Sequence, residues 1–239
     1  MTMIHSNLQG VRARITQACL AAGRAPDAVA LLAVSKTFDA EAVREAALAG
    51  QRLFGENYIQ EAVDKMARLA ALDLPGPLQW HCIGPVQSNK SRLVAGHFDW
   101  VHTVDRPKLA ERLSDQRPAH LPPLQVCIQV NVDGGSTKSG VAPEHALQLA
   151  RAVAQLPRLC LRGVMSIPDA APDAAAQLAV HLRVRQVFDA LRAQGGAGFE
   201  SFDTLSLGMT GDLEAAIAAG STLVRVGSGI FGARHYAAC

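Results

Sequence analysis

A lysine that ends an apolar run is the first residue of this chain that could do chemistry. Residues 31–36 are apolar and partly β-branched up to Ser35 and Lys36, a pattern typical of a buried strand in a sheet covered on both faces. Burying an ammonium group is costly unless it is paired or neutralised. Lys36 therefore either extends from the strand end into water, or is held as an amine where α/β proteins build their sites.

Two later segments are rich in small residues and hydroxyl groups. They are Ser206-Leu207-Gly208-Met209-Thr210 and Arg225-Val226-Gly227-Ser228-Gly229. Glycine lets a ligand approach the backbone, N–H groups at a helix start point at an anion, and hydroxyl groups add donors. The two segments together indicate a phosphate site, although Thr210 alone could equally be a simple helix cap. A Walker-type loop is excluded because no Gly-x-x-x-x-Gly-Lys-Ser/Thr sequence occurs.

An amine and a phosphate cradle together suggest an aldehyde that carries a phosphate group. Pyridoxal 5′-phosphate fits this description, with Lys36 forming the Schiff base and a second residue contacting the pyridine nitrogen. Arg225 is the candidate for that contact. An arginine keeps its proton, so the ring would stay largely unprotonated and would be a weak electron sink. The alternative for Arg225 is an ion pair with a nearby carboxylate.

Alternating strand and helix patterns indicate how these residues could be brought together. Strands are predicted at residues 31–36, 53–54, 78–83, 100–104, 124–130, 161–167, 204–207 and 223–226. A helix at residues 7–22 precedes the first of them. Strands at this spacing, with helices between, favour parallel βαβ units. Eight units predict an α/β fold, a (β/α)8 TIM barrel with an extra N-terminal helix, as one domain over residues 1–239. An open doubly wound sheet is the alternative, although the first strand lacks a Gly-x-Gly-x-x-Gly turn.

In a barrel the carboxyl ends of all strands converge on one face. Lys36, Asn57, the segment after the seventh strand and the segment after the eighth would then lie together. His81, near the end of the third strand, could be a site residue or a core histidine. Helix starts are predicted at Asp39, at Asn57 with Gln60 in a capping-box variant, at Asp105 and at Thr210.

Composition excludes several classes of partner. Of 239 residues, 49% are apolar and 18% are charged, with a net charge of +2, so the chain is globular and gives no reason to expect a nucleic-acid or membrane partner. Its five cysteines are odd in number and widely spaced, which favours reduced thiols in a cytoplasmic protein. No apolar run has the length of a membrane span, and residues 1–9 lack the apolar core of a signal peptide.

Seven segments spread over nearly the whole chain carry a resemblance to a known family. They are Ala33-Val34-Ser35-Lys36, Phe54-Gly55-Glu56-Asn57-Tyr58, Trp80-His81-Cys82-Ile83-Gly84, Gln87-Ser88-Asn89-Lys90, Lys138-Ser139-Gly140, Leu205-Ser206-Leu207-Gly208-Met209-Thr210, and Arg225-Val226-Gly227-Ser228 with Ile230-Phe231-Gly232. Together they resemble the pyridoxal phosphate homeostasis protein family, which is itself similar to the N-terminal barrel of alanine racemase.

This resemblance implies a role for each candidate site residue. Lys36 corresponds to the Schiff-base lysine, and Arg225 to the residue at the pyridine nitrogen. The implied phosphate group is surrounded by Ser206, Thr210, Gly227 and Ser228, while Asn57 and Met209 are weaker candidates for lining the pocket. The implied protein is a cytoplasmic monomer that stores pyridoxal phosphate and delivers it, possible acceptors being apo-enzymes that use this cofactor.

The competing function is an amino-acid racemase of the alanine racemase type. Such enzymes need a second base on the opposite face of the ring, and those that this chain resembles take it from a tyrosine of an additional C-terminal domain. This chain has only Tyr58 and Tyr236, and Cys239 follows soon after the last predicted strand. We therefore expect a binding protein and not an enzyme. A barrel without any ligand is disfavoured by Lys36 and the two small-residue segments.

Overall fold

Eight parallel strands close into a barrel in the computed structural model, which describes residues 2–135 and 138–233. Tyr236 and Cys239 lie outside these described residues. The strands are β1 Ala30–Val34, β2 Leu53–Glu56, β3 Gln79–Cys82, β4 Trp100–Val104, β5 Leu124–Gln129, β6 Leu159–Met165, β7 Thr204–Ser206 and β8 Leu223–Val226. Each strand pairs in parallel with the next, and β8 pairs with β1. The predicted (β/α)8 barrel is confirmed.

Helices surround the barrel and supply the outer half of the core. They are α1 Met3–Ala21, α2 Ala40–Leu48, α3 Ile59–Ala70, α4 Ser91–His97, α5 Pro107–Gln116, α6 Ala146–Ala154, α7 Ala174–Gln194, α8 Leu213–Ala218 and α9 Ser228–Phe231, with a 3₁₀ turn at Pro143–His145. The additional helix α1 packs against α8 and α9. None of the helices in the described residues is both long and apolar enough to cross a membrane.

The core has one large region between strands and helices and two smaller clusters inside the barrel. The large region joins the buried stripe of each helix to strand side chains. The smaller clusters contain no helix residues; they are Leu32, Val34, Ile83 and Leu223 in one, and Trp100, Cys127 and Met165 in the other. The strands also place buried polar residues in the barrel interior, in addition to these two apolar clusters. Polar residues are unusual there, because barrel interiors are mostly filled by branched apolar side chains.

A bulge in β6 shapes the barrel wall. Val126 pairs with Leu161 but its neighbour Cys127 pairs with Gly163, so Arg162 is an extra residue in this strand. Gly163 has a φ of +157°, and a Cβ built on it would overlap the carbonyl oxygen of Thr204. Only glycine fits this position.

Three of the four predicted capping residues were wrong. The carboxylate of Asp39 does cap α2, accepting a 2.9 Å hydrogen bond from Ala42 N. However, α3, α5 and α8 begin after Tyr58, Arg106 and Asp212. Proline at position 107 explains α5, because the residue before a proline is held in an extended conformation and Arg106 has a φ of −154°.

Candidate functional site

A cavity of about 250 Å³ lies at the carboxyl ends of the strands. Its wall contains seven of the eight predicted site residues: Lys36, Asn57, Met209, Thr210, Arg225, Gly227 and Ser228. Apolar side chains of Val34, Phe38, Ile83 and Ile167 complete much of the remaining wall. The eighth predicted residue, Ser206, is fully buried and does not line the cavity.

Lys36 lies in a sharp bend just beyond β1. The next residue, Thr37, has a φ of +68°, a conformation that costs a non-glycine residue roughly 1–2 kcal/mol. Its N–H donates a 2.8 Å hydrogen bond to Glu61 Oε1. The bend is thus fixed by a contact to α3, and strain of this kind is concentrated at functional sites.

A buried ion pair supports the same bend. Lys65 on α3 donates to Glu56 Oε1 at 2.6 Å and to the carbonyl of Ser35 at 2.9 Å. Ser35 Oγ donates to the same Glu56 oxygen at 2.7 Å. Burial raises the pKa of Glu56, and Lys65 only partly opposes this rise. The sequence did offer a signal for Lys65, because it stands three residues after Ala62 on the core-facing stripe of α3.

Arg225 projects from β8 and is 4% exposed. Its Nη1 donates to the carbonyl and the hydroxyl of Ser206 at 2.6 and 2.7 Å, and its Nη2 donates to the carbonyl of Ser166 at 2.8 Å. Burial lowers the pKa of Arg225 to about 10, so it remains charged at neutral pH. Among the described residues no carboxylate comes within ion-pair distance of it, which removes the alternative role considered from the sequence.

The loop between β7 and α8 is held by a carboxylate that the sequence did not identify. Asp212 accepts a 2.6 Å hydrogen bond from Met209 N, and its other oxygen lies 3.0 Å from Nε2 of the buried His181. Because Asp212 closes this turn, Thr210 does not cap the helix and remains in the cavity wall. Its hydroxyl lies 3.4 Å from Ser228 Oγ, which links the loops after β7 and β8.

Asn57 provides a test of whether the cavity fits a ligand. A Cβ on Gly84 would lie 2.5 Å from the carbonyl oxygen of Asn57, so the two backbones pack as closely as glycine allows. The side-chain oxygen of Asn57 is buried and has no hydrogen-bond partner among the described residues. Buried polar atoms are nearly always paired. An amine, a guanidinium group, two hydroxyl groups and this amide suit a phosphorylated aldehyde with a ring nitrogen.

His81 does not line the cavity and is fully buried in the barrel interior, where burial lowers its pKa to about 3. It contacts His102 on β4, which the sequence analysis did not single out. The available signal was a histidine inside an otherwise apolar strand, since a polar group at such a position needs a partner.

Comparisons with known proteins place this chain in a family. The family model "Alanine racemase, N-terminal domain" matches residues 7–235, and an alanine racemase from Corynebacterium glutamicum shares the fold, with a TM-score of 0.65 and 18% identity over 99% of this chain and 62% of that chain. The fold and site thus define a barrel of the alanine racemase N-terminal type.

A protein of Pseudomonas aeruginosa named pyridoxal phosphate homeostasis protein is 56% identical over 100% of this chain and 99% of its own length. The structure of PipY from Synechococcus elongatus with PLP bound has a TM-score of 0.83 and 36% identity, covering 96% of this chain and 100% of that chain. The chain belongs to the pyridoxal phosphate homeostasis protein family, which confirms the resemblance found in the sequence.

Proposed function

We propose that this protein binds pyridoxal 5′-phosphate in the cavity, holds it as a Schiff base on Lys36, and releases it to other proteins. The observation that carries the proposal is the cavity itself, in which an amine and a buried guanidinium share one wall with two loops of small and hydroxyl residues. The name of the Pseudomonas aeruginosa relative and the cofactor in the PipY structure support the same ligand.

Each wall residue has a distinct task in this proposal. The bound cofactor supplies an aldehyde and an electron-withdrawing ring. Lys36 offers its amine to the aldehyde, and Arg225 donates to the pyridine nitrogen. Thr210, Gly227 and Ser228 surround the phosphate group. Donation from an arginine leaves the ring nitrogen largely unprotonated, so the ring is a weak electron sink and the residues are suited to holding the cofactor.

Ser206 has a different task from the one expected. Its carbonyl and its hydroxyl both accept hydrogen bonds from Arg225, and it does not reach the cavity wall. We assign it to holding Arg225 and not to the phosphate group. Asn57 and Met209 line the pocket, where the buried amide of Asn57 can bond a polar group of the ligand.

Release of the cofactor is favoured by the form of the cavity mouth. Ile167 and Met209 line the cavity and yet are 41% and 40% exposed, so a ligand seated there is close to solvent. We still predict that the protein is a cytoplasmic monomer with one domain over residues 1–239, and that it delivers the cofactor to apo-enzymes. Transfer is tested by measuring whether the loaded protein restores activity to an apo-enzyme faster than an equal amount of free cofactor.

The Schiff base on Lys36 is tested by spectroscopy and chemical reduction. Protein incubated with pyridoxal phosphate is expected to absorb visible light, and borohydride is expected to fix the cofactor on the peptide that contains Lys36. Lys36→Ala should lose both properties, because the reacting amine is gone. Lys108→Ala, which changes an exposed lysine on α5, is the control and should keep them. A reducible adduct of the same absorbance in Lys36→Ala would show that the assignment is wrong.

A further inference from the structure

A line of hydrogen-bonded side chains crosses the barrel interior from Arg225 to the opposite end of the sheet. Arg225 Nη1 lies 2.7 Å from Ser206 Oγ, which lies 3.0 Å from His102 Nδ1. His102 Nε2 lies 2.9 Å from His81 Nδ1, and His81 Nε2 lies 3.1 Å from Gln79 Oε1. Four of the five residues are at most 4% exposed, and Gln79 begins β3.

The chemistry of Arg225 fixes the direction of every bond in this line. Arg225 can only donate, so the Ser206 oxygen accepts from it. The Ser206 hydroxyl proton then needs an acceptor, and His102 Nδ1 is the one within reach among the described residues. His102 must therefore carry its proton on Nε2 and donate to His81 Nδ1. His81 in turn carries its proton on Nε2 and donates to the Gln79 oxygen.

The reverse direction leaves a buried proton without an acceptor. If His102 donated through Nδ1, the Ser206 oxygen would accept twice and its proton would have no acceptor, a loss of about 1–3 kcal/mol. Burial lowers the pKa of both histidines, and each lies near a second imidazole or the Arg225 charge. Both rings are thus neutral, and the Trp100 ring stacks on His81 with an interplanar angle of 10°.

The same bonds determine which part of Arg225 faces the ligand. A guanidinium group has five N–H donors. The Ser206 carbonyl, the Ser206 hydroxyl and the Ser166 carbonyl take three of them. One Nη2 proton and the Nε proton remain for a group in the cavity.

We propose that Ser206, His102 and His81 are positioning residues for Arg225: their one-directional hydrogen-bond line takes up the Ser206 hydroxyl proton, orients the lone pairs of the Ser206 oxygen toward Arg225, and thereby aims the remaining guanidinium protons at the ring nitrogen of the cofactor. The role toward the cofactor rests on the function proposed above. The direction of the line does not, because it follows from the protein alone.

Nitrogen NMR of the histidine side chains tests the direction in protein without cofactor. In uniformly ¹⁵N-labelled protein assigned through its backbone, His102 and His81 should both show a neutral ring with the proton on Nε2. This requires no substitution and so does not depend on a variant folding. A proton on Nδ1 of either ring, or a doubly protonated ring at neutral pH, would overturn the proposed line.

The effect on the cofactor is tested with four variants and a titration of pyridoxal phosphate. Ser206→Ala should bind about tenfold more weakly, the size expected for losing one charge-assisted hydrogen bond, and should shift the visible absorbance. His102→Leu should weaken binding as well, whereas His102→Asn should recover most of it because its amide oxygen can replace Nδ1 as acceptor. Cys127→Ala, which truncates a neighbour of Trp100 in the same interior, should leave binding and absorbance unchanged.

The double variant Ser206→Ala with His102→Leu separates positioning from general loosening of the barrel. If Ser206 and His102 act through one line, the double variant should bind pyridoxal phosphate no more weakly than Ser206→Ala alone. If the two substitutions loosen the packing independently, their losses of binding free energy should add. Additive losses, or unchanged binding in Ser206→Ala, would overturn the positioning role. Wild-type protein that forms no adduct on Lys36 would instead overturn the proposed function, and the NMR result on the line would stand separately.

Discussion

Buried charge distinguishes the bend that carries Lys36 from an ordinary strand end. Lys65 is 4% exposed and Glu56 is fully buried; they lie on different elements, pair directly at 2.6 Å, and both also bond Ser35. An ion pair in this position adds little stability by itself, but removing one partner leaves the other as an uncompensated charge. The pair therefore fixes one conformation of the backbone next to Lys36.

Lys65→Met tests this pair at the level of one residue. We expect the free energy of unfolding to fall by about 3–5 kcal/mol, because Glu56 loses its charge partner and the Ser35 carbonyl loses a donor. Urea denaturation followed by circular dichroism measures this change. Arg44→Met, which breaks the exposed pair with Glu41 on α2, is the control and should change stability by less than about 1 kcal/mol.

The same variant should depend on pH in a defined direction. Burial already raises the pKa of Glu56 above its ordinary value of 4.5, and loss of Lys65 raises it further. In the pH range between 4.5 and the raised value, folded Glu56 holds a proton that the unfolded chain releases. Stability is therefore greatest below that range and is lost as pH rises through it. Lys65→Met should lose more stability at pH 7.5 than near pH 4.5, and an equal loss at both would contradict this account.

At the level of elements, the site depends on short contacts that glycine makes possible. Gly163 lets β6 carry the extra residue Arg162 while it still pairs with β7. The guanidinium group of Arg162, the extra residue of the bulge, lies over the Trp100 ring, 4.7 Å from its centroid. Trp100 in turn stacks on His81, so the bulge contributes to the packing around the histidines.

Gly163→Ala tests the bulge. Because the new Cβ would overlap the Thr204 carbonyl and the φ of +157° disfavours any side chain, we expect a loss of more than about 3 kcal/mol of stability or failure to fold. Thermal unfolding and soluble yield measure the outcome. Gly10→Ala in α1, where a Cβ meets no atom within 4 Å, is the matched control and should stabilise by about 0.5–1 kcal/mol. A Gly163→Ala protein as stable as wild type would show that the strands can shift to accept a side chain.

At the scale of the whole molecule, the fold was predictable and the interior was not. Strand and helix patterns are local, and parallel alternation leaves few topologies, so the residue order alone places eight strand ends on one face. The same reasoning predicted that Lys36, Asn57 and Arg225 lie close together, and all three line one cavity. The partners of buried groups come from different elements that the tertiary structure brings together: Lys65 with Glu56, Ser206 with His102, His181 with Asp212. No spacing along the chain encodes such pairs.

The composition of the whole cavity also sets a limit on its chemistry. Interconverting the enantiomers of an amino acid requires a proton to be removed on one face and returned on the other, each by a positioned acid–base group. Among the described residues that line the cavity, Lys36 is the one side chain with an amine, imidazole, phenol or carboxyl group. Tyr58 is 53% exposed and does not line it.

We therefore expect negligible racemisation of alanine or serine by protein that carries pyridoxal phosphate. Chiral chromatography after incubation with each enantiomer measures this, with an alanine racemase assayed in parallel as the positive control. Lys36→Ala purified in the same way serves as the blank, because its preparation contains the same contaminating enzymes but the variant lacks the reacting amine. Robust turnover that disappears in Lys36→Ala would mean that a second proton donor reaches the cavity, and the protein would then have to be regarded as an enzyme.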